Sequence, residues 1–467
     1  MNFFPTHISS SPRMTMSETQ AVPRKRVRRA PEQSPVVGPA KLPSLSRRDT
    51  DTPDIEDLCF TREEAAAVRE SLLLWYDVNK RDLPWRRKAE VVEEEDCADK
   101  RAYGVWVSEV MLQQTRVRTV VDYYRRWMAR WPSLELLASA SVEEVNEMWA
   151  GLGYYRRARF LLEGAKMISS SGEGFPRTVA ALRKVPGIGD YTAGAIASIA
   201  FNEVVPVVDG NVMRVIARLK AITANPKESS TVKKFWKLAS ELVDSIRPGD
   251  FNQSLMELGA TVCTPVNPNC CTCPVSSQCS AFSISGRDES VTVTDYPMKA
   301  VKSKQREEFS AVSVVEILRG HNSCDAMKPE SGYLLVKRPE GGLLAGLWEF
   351  PSATLKKDSG SAIRKKAVDR RLREVFGLDS RAFSIVSREE IGDFVHIFTH
   401  IRLKIWVEYL VLRLKVDEEA FFSRLNEDVA TLKVVNNEAL STMGLTSGVK
   451  KVYSMVQKFK QNICRGP

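Results

Sequence analysis

Five of the chain's nine cysteines fall between positions 263 and 279, and four of them, Cys263, Cys270, Cys273 and Cys279, are spaced Cys-x6-Cys-x2-Cys-x5-Cys. Four thiolates this close in the chain can enclose a [4Fe–4S] cube. A four-cysteine zinc site is the competing reading. Zinc ribbons, however, generally use two short Cys-x-x-Cys knuckles about a dozen or more residues apart, and only one such knuckle is present here. Cys271, lying between two of the four, is the spare thiol. Such a cluster serves either redox chemistry or the folding of a loop. Arg183, Lys184, Lys233, Lys234 and Lys237 upstream indicate a basic surface, which favours the structural role.

A second constellation lies further upstream. Pro186-Gly187-Ile188-Gly189 forms a turn between two helical stretches. Both glycines permit positive φ and a close approach of backbone to a ligand. The amide groups at the start of the next helix then offer a phosphate site, a contact that positions a polyanion without reading its sequence. Glycine turns also serve helix packing alone, and the motif is weak in isolation. The segment C-terminal to that helix strengthens it: the apolar run Val205-Pro206-Val207-Val208 delivers Asp209 to a helix start. Taken alone, Asp209 reads better as a plain N-cap than as a site residue. The four histidines, His7, His321, His396 and His400, all lie outside residues 60–300. Acid–base chemistry in that half therefore falls to carboxylates, lysine or tyrosine, and Ser–His or Cys–His mechanisms are excluded there.

The elements that must position these groups divide the chain. Residues 1–57 are rich in Pro, Ser, Thr and Arg without apolar period and read as a disordered extension. They include Arg24-Lys25-Arg26-Val27-Arg28-Arg29, a nuclear address or a loose DNA-binding arm. Residues 58–286 are helical in pattern. Val110, Val117, Val121, Tyr124 and Met128 form an apolar stripe broken near Gln114, with Thr115 as the expected N-cap where two helices meet. Further helices are expected over 141–150, 155–169, 192–200, 211–222 and 230–245, and the acidic stretch Glu90–Asp99 reads as a solvated loop. A polar linker over 287–307 leads to an α+β domain over 308–460, with strands at 308–317, 332–338, 382–387 and 401–414 and helices at 361–376 and 448–460. Residues 461–467 form a tail.

The net charge of +10 makes a polyanionic partner plausible, and no apolar run is long enough to span a bilayer. The start shows no basic stretch followed by an apolar one, and a reducing compartment is expected for the cysteines.

The order hairpin, then Val208-Asp209-Gly210-Asn211-Val212, then the four cysteines resembles the endonuclease III superfamily of DNA glycosylases. Leu83-Pro84-Trp85, the stretch from Tyr103 to Thr115 (YGVWVSEVMLQQT) and Gly151-Leu152-Gly153-Tyr154-Tyr155 narrow the resemblance to its MutY branch, adenine DNA glycosylases. The fold it implies is multi-domain: an all-α helix-hairpin-helix glycosylase domain with a [4Fe–4S] cluster loop, followed by an α+β Nudix-like domain.

The resemblance further implies that Glu109 and Asp209 are the catalytic carboxylates. Glu109 would protonate adenine at N7, and an ionised Asp209 would stabilise the oxocarbenium-like sugar. Tyr191 and Asn211 would assist near the sugar. Bifunctional relatives carry lysine at position 191, which attacks the sugar and cleaves the strand. Tyr191 thus implies a monofunctional enzyme, with Lys184 as the one neighbour able to give adventitious nicking. Gln114 and Tyr154 would wedge into the duplex as the base is extruded. Arg81, Leu83, Trp85, Arg86 and Glu257 would surround the extruded adenine, and Pro186, Gly187 and Gly189 would hold the backbone.

In the C-terminal half, Gly341–Pro351 (GGLLAGLWEFP) resembles the start of a Nudix fold as MutY proteins use it. A working Nudix box needs several glutamates to hold Mg²⁺, and Arg370–Gly377 (RRLREVFG) retains only Glu374. The resemblance therefore implies recognition of 8-oxoguanine rather than hydrolysis, with Phe398, Thr399 and His400 touching the oxidised base. Thr399 stands where serine is usual and keeps the hydroxyl. The expected partner is double-stranded DNA with A·8-oxoguanine or A·G mispairs, bound by a monomer. A downstream abasic endonuclease or a sliding clamp would then act, although the last twenty residues show no convincing clamp-binding tail. Residence in the nucleus, with the mitochondrion as the alternative, is expected. The competing functions are endonuclease III-like excision of oxidised pyrimidines and non-catalytic damage sensing.

Overall fold

The computed structural model describes residues 58–86, 97–299, 304–318, 331–339, 341–376, 383–415 and 431–465. The basic N-terminal stretch and most of the acidic insert lie outside the described residues.

Twelve α-helices among the described residues build the first half. They are α1 (Arg62–Asn79), α2 (Cys97–Leu112), α3 (Val117–Arg130), α4 (Leu134–Ala138), α5 (Val142–Trp149), α6 (Arg156–Ser171), α7 (Val179–Leu182), α8 (Asp190–Phe201), α9 (Gly210–Leu219), α10 (Ser229–Leu242), α11 (Pro248–Thr261) and α12 (Ser280–Ser285). They pack around two separate cores. One centres on Trp106, Trp127 and Trp149, from α2, α3 and α5, with α6 and α8 closing it. The other gathers α1, α9, α10 and α11 around Phe235, Phe251 and Leu255, and Cys263, Cys273 and Cys279 pack against its edge. Helix α2 is buried almost throughout because nearly every residue from Ala102 to Met111 is apolar or small. A charge in such a helix is costly unless it serves a purpose.

Local details differ from the pattern expectations. The N-cap of α3 is Arg116, without a side-chain cap, not Thr115. The buried stripe of α3 runs Val120, Tyr124, Trp127 rather than through Val121 and Met128, because the tryptophan fills the first core. Cys97–Asp99, expected in a loop, already belong to α2, and Asp99 accepts from the Phe175 amide at 3.1 Å. Within 287–307, Val293–Asp295 form a 3₁₀ turn, and Val293 and Tyr296 pack on Ala281.

Among the described residues the second half is a seven-stranded mixed sheet: β1 (Arg306–Leu318), β2 (Ser331–Lys337), β3 (Trp348–Glu349), β4 (Ser352–Leu355), β5 (Phe383–Ile397), β6 (Ile401–Leu414) and β7 (Leu432–Val435). The order is β3-β2-β1-β6-β5, with β4 on β1 and β7 on β2; β1 and β6 are parallel over their full length, and the other pairs are antiparallel. Helix α13 (Ser361–Phe376) covers one face. Helices α14 (Asn437–Thr442) and α15 (Ser447–Arg465) cover the other. Strand β5, fifteen residues long, runs well beyond the expected 382–387 and forms with β6 a hairpin whose tip is Phe398–His400. Leu347, from the Gly341–Pro351 loop, is buried in the tryptophan-rich helical core. Among the described residues no helix is long and apolar enough to cross a membrane.

Candidate active site

Glu109 sits in the last turn of α2 and is only 5% exposed. Burial pushes its carboxyl up to about 7; the Tyr191 hydroxyl opposes this by donating to Oε2, the nearby Asp209 charge adds to it, and Arg86 opposes it. A carboxyl at that value is half-protonated near neutral pH, which is the condition for a general acid. Tyr191 lies on α8 and also contacts Met256 Sδ at 3.5 Å. Burial and the two carboxylates push its own hydroxyl well above the ordinary value, so it remains a neutral donor.

Asp209 comes from the other core. It is the N-cap of α9, with Oδ1 accepting from the Val212 amide at 2.7 Å and Oδ2 from Asn211 Nδ2 at 2.7 Å. The cap and the site residue are thus the same side chain. Burial moves its carboxyl upward, while these donors and Arg214 hold the anion. A helix N-terminus also favours negative charge. Glu109 has a single donor and no helix N-terminus. Burial raises both carboxyls, but Asp209 is capped by two donors at a helix N-terminus, so negative charge is better supported there than on Glu109.

Arg214 was not legible as a site residue. Its Nη2 donates to Asn211 Oδ1 at 2.8 Å and to the Gly259 carbonyl at 2.7 Å, and its Nε to the Cys263 carbonyl at 2.8 Å. An unbroken hydrogen-bonded chain therefore runs Asp209–Asn211–Arg214–Cys263. The available signal was its i+3 spacing from Asn211 on one helix face. Helix α11 approaches closely here: a Cβ on Gly259 would fall 2.6 Å from Asn211 Cβ.

A second carboxylate group borders the first. Glu257, 1% exposed, takes Arg81 Nε at 2.6 Å and Nη2 at 2.8 Å, and Arg86 Nη2 at 2.7 Å. Burial would raise its carboxyl, but the two guanidiniums outweigh it and hold it at about 2. Glu257 is therefore a fixed anion, in contrast to Glu109. Leu83 is buried, and Trp85 packs edge-on to Tyr124 at 5.3 Å, on the side of the tryptophan core.

The hairpin joins α7 to α8. Gly187 has φ +79°, and a Cβ there would meet Phe160 Cβ at 2.5 Å, so glycine is required on both counts. Gly189, expected to exploit positive φ, has φ −94° and caps α8; nothing lies within 4 Å of its missing Cβ. Gln114 and Tyr154 both adopt left-handed backbone, φ 57° and 49°, in exposed turns. Tyr154 is 48% exposed, and its hydroxyl lies 2.6 Å from Thr399 Oγ1. Phe398 packs against His396 at 4.6 Å, and His400 is exposed. The structure therefore groups Glu109, Tyr191, Asp209 and Asn211, sets Arg81, Arg86 and Glu257 beside them, and brings the β5–β6 tip to Tyr154.

Cys263, Cys270, Cys273 and Cys279 line one pocket with Arg218, Val262 and Phe282, while Cys271 is exposed. Arg218, itself buried, donates Nη1 to Cys263 Sγ at 3.2 Å and to the Thr264 carbonyl at 2.8 Å. Burial pushes the Cys273 thiol up to about 12. Among the described residues no three His, Cys, Asp or Glu side chains converge on a single-ion site. Four sulfurs around a common, partly apolar pocket, with a guanidinium on one of them, fit a cluster larger than one ion.

A family model described as HhH-GPD superfamily base excision DNA repair protein matches residues 107–241, and a NUDIX domain matches residues 326–455. Fold and site thus define a base-excision DNA repair protein with a Nudix-like second domain. The adenine DNA glycosylase of Arabidopsis thaliana is 57% identical over 423 residues, covering 85% of this chain and 65% of that protein. That of Mus musculus is 43% identical over 442 residues (86% and 80%), and that of Schizosaccharomyces pombe 37% over 390 (75% and 83%). The chain belongs to the adenine DNA glycosylase family. It spans just under two thirds of the length of the Arabidopsis relative.

Proposed function

We propose that this chain hydrolyses the N-glycosidic bond of adenine mispaired with 8-oxoguanine or guanine in duplex DNA and leaves an abasic site. The observation that carries the reading is the pair Glu109 and Asp209, one carboxyl raised to about 7 and the other held by Val212, Asn211 and a helix N-terminus. Glu109 gives its proton to the leaving adenine. Asp209 stabilises the cationic sugar, and water completes the hydrolysis. Arg81, Arg86 and Glu257, paired beside these carboxylates, would surround the extruded base. Tyr191 provides no amine, so strand cleavage by Schiff-base chemistry has no nucleophile at that position.

Gly187 and Gly189 present amides to the phosphate backbone, and Pro186, which has no N–H, shapes the turn that exposes them. Phe398, Thr399 and His400 engage the oxidised base. A [4Fe–4S] cluster would be held by Cys263, Cys270, Cys273 and Cys279 and would cross-link the loop whose first residues take hydrogen bonds from Arg214 and Arg218 of α9. The run Arg24–Arg29 supports nuclear residence, and a sliding clamp or abasic endonuclease would take over the product.

The test is single-turnover incubation with a duplex carrying one A·8-oxoguanine pair, beside a thymine-glycol duplex. Release of free adenine from the first alone is expected. Release from neither A·8-oxoguanine nor A·G refutes the reading.

A further inference from the structure

We infer that Arg157 is a positioning residue that holds the turns of Gln114 and Tyr154 against the helix carrying Glu109; this rests on the glycosylase reading. Arg157 lies in the first turn of α6 and is partly buried. Its Nη1 donates to the carbonyls of Val110 at 2.8 Å, Met111 at 3.2 Å and Gln113 at 2.5 Å. Its Nη2 donates to the Gly153 carbonyl at 3.1 Å and reaches Thr115 Oγ1 and the Leu152 carbonyl at 3.5 Å. One planar group therefore binds both turns at once. The guanidinium also lies over the rings of Trp149 and Tyr154, 5.3 and 5.4 Å from their centroids.

The energetics separate this from an ordinary surface arginine. Burial lowers the Arg157 guanidinium to about 10, and among the described residues no carboxylate pairs with it. A partly buried cation compensated by carbonyls alone is expensive. The carbonyls it takes are the orphan acceptors at the C-terminus of α2, where a cation is favourable. Those acceptors begin one residue after Glu109. The two turns each hold a non-glycine residue in left-handed backbone, a strained conformation that persists only when surroundings enforce it. Arg157 is the group common to both. A five-donor planar fork is needed, because an ammonium on a shorter reach cannot span Gln113 and Gly153 together. Through Arg157, the side chains that would enter the duplex are fixed in register with the acid that would protonate the extruded base.

The test uses the full chain with Arg157→Lys and Arg157→Gln, which keep the charge or the planar donor but not the fork. The probe is an A·8-oxoguanine duplex with 2-aminopurine beside the target adenine, whose fluorescence reports unstacking independently of bond cleavage. Both variants should melt cooperatively and bind the duplex within about threefold of wild type, while the fluorescence rise is largely lost and the single-turnover rate falls roughly a hundredfold. A merely structural role would leave the unstacking signal of the folded variants intact. An unchanged fluorescence rise, or loss of cooperative melting in both variants, overturns the inference. A wild-type chain that releases no adenine refutes the glycosylase reading itself. Adenine release by wild type beside normal unstacking in the variants refutes only the role of Arg157.

Discussion

Tyr191→Phe should move the pH profile of the chemical step rather than merely lower it. The Tyr191 hydroxyl donates to Glu109 Oε2 and is the largest influence opposing burial at that carboxyl. It favours the ionised form, so its removal raises a value that already stands at about 7. A hydrogen bond to a charged group is worth roughly 1.5–3 kcal/mol, or about one to two pKa units. Phenylalanine retains the ring in the same packing, so the change is confined to the donor.

The sign is set by the protonation state needed. If protonated Glu109 is the acid, activity falls as pH rises through its value, and the alkaline limb of the single-turnover profile marks it. With the value at about 7, roughly one molecule in eleven is protonated at pH 8; moving it to about 8 makes that about one half, a gain near fivefold in the competent fraction. The limb should therefore shift alkaline by about one unit or more, whatever the height of the plateau. The assay is rapid-quench excision of adenine from an A·8-oxoguanine duplex between pH 5 and 9.5, with enzyme in excess. A limb that stays in place, or moves to lower pH, would show that Glu109 is not the group that titrates.

Asp209→Asn should lower excision by at least about a thousandfold with duplex affinity nearly unchanged, measured by single turnover and by titration of an uncleavable duplex; retained turnover would remove Asp209 from the chemistry. Replacing Thr399 and His400 together by alanine should erode preference for A·8-oxoguanine over A·G, and an equal loss on both would argue against base recognition by the hairpin tip. Lys460→Met addresses stability. Glu316, buried on β1, takes Lys460 Nζ at 2.7 and 3.0 Å together with the hydroxyls of Ser331 and Tyr409. Burial would raise the Glu316 carboxyl, but these partners bring it below its ordinary value. The pair's contribution is therefore present above the unfolded carboxyl value and is lost as pH falls through the lower folded one. The variant should unfold roughly 2 kcal/mol more easily at pH 7, discounted because Lys460 is a third exposed. In denaturant melts that deficit should shrink toward pH 3–4; a pH-independent deficit would mean lost packing alone.

The two-part architecture was legible because the texture of the chain changes from helical period to β-branched alternation near residue 306, where β1 begins. Helix positions were legible where the apolar face is a simple stripe, as in α5, α6 and α10. Caps were harder. Arg116 rather than Thr115 starts α3, because the turn at Gln114 uses a left-handed residue that no local propensity announces. Glu109 was visible only through the surrounding motif, since a lone glutamate in an apolar helix has no spacing signal. Asp209 was visible as a cap, and both readings of it describe the same hydrogen bonds. Arg157 and Arg214 escaped notice because their partners are mostly backbone carbonyls, which carry no sequence identity, and arginine on a helix ordinarily reads as a solvated face.

The physical logic of the site lies in its division between two cores. Glu109 and Tyr191 are fixed by the tryptophan-rich core, and Asp209 and Asn211 by the core bordered by the cysteine loop. Neither core alone places an acid opposite an anion. Their relative position is set where α11 meets α8 and α9, and a Cβ on Gly259 would already collide with Asn211. Any loosening of the cysteine loop is carried to Arg214 through the Cys263 carbonyl and from there to Asn211 and Asp209. On the other side Arg157 ties the end of α2 to the turns that carry Gln114 and Tyr154. The two arginines brace different parts of the site, Arg157 the end of α2 beyond Glu109 and Arg214 the Asn211 that holds Asp209, and their failures should differ in kind. Loss of Arg214 should weaken the step that needs the Asp209 anion even on an adenine already unstacked, whereas loss of Arg157 should be felt before the bond breaks, when the base leaves the helix. A defect of Arg214→Met that vanished on a single-stranded adenine substrate would contradict that division.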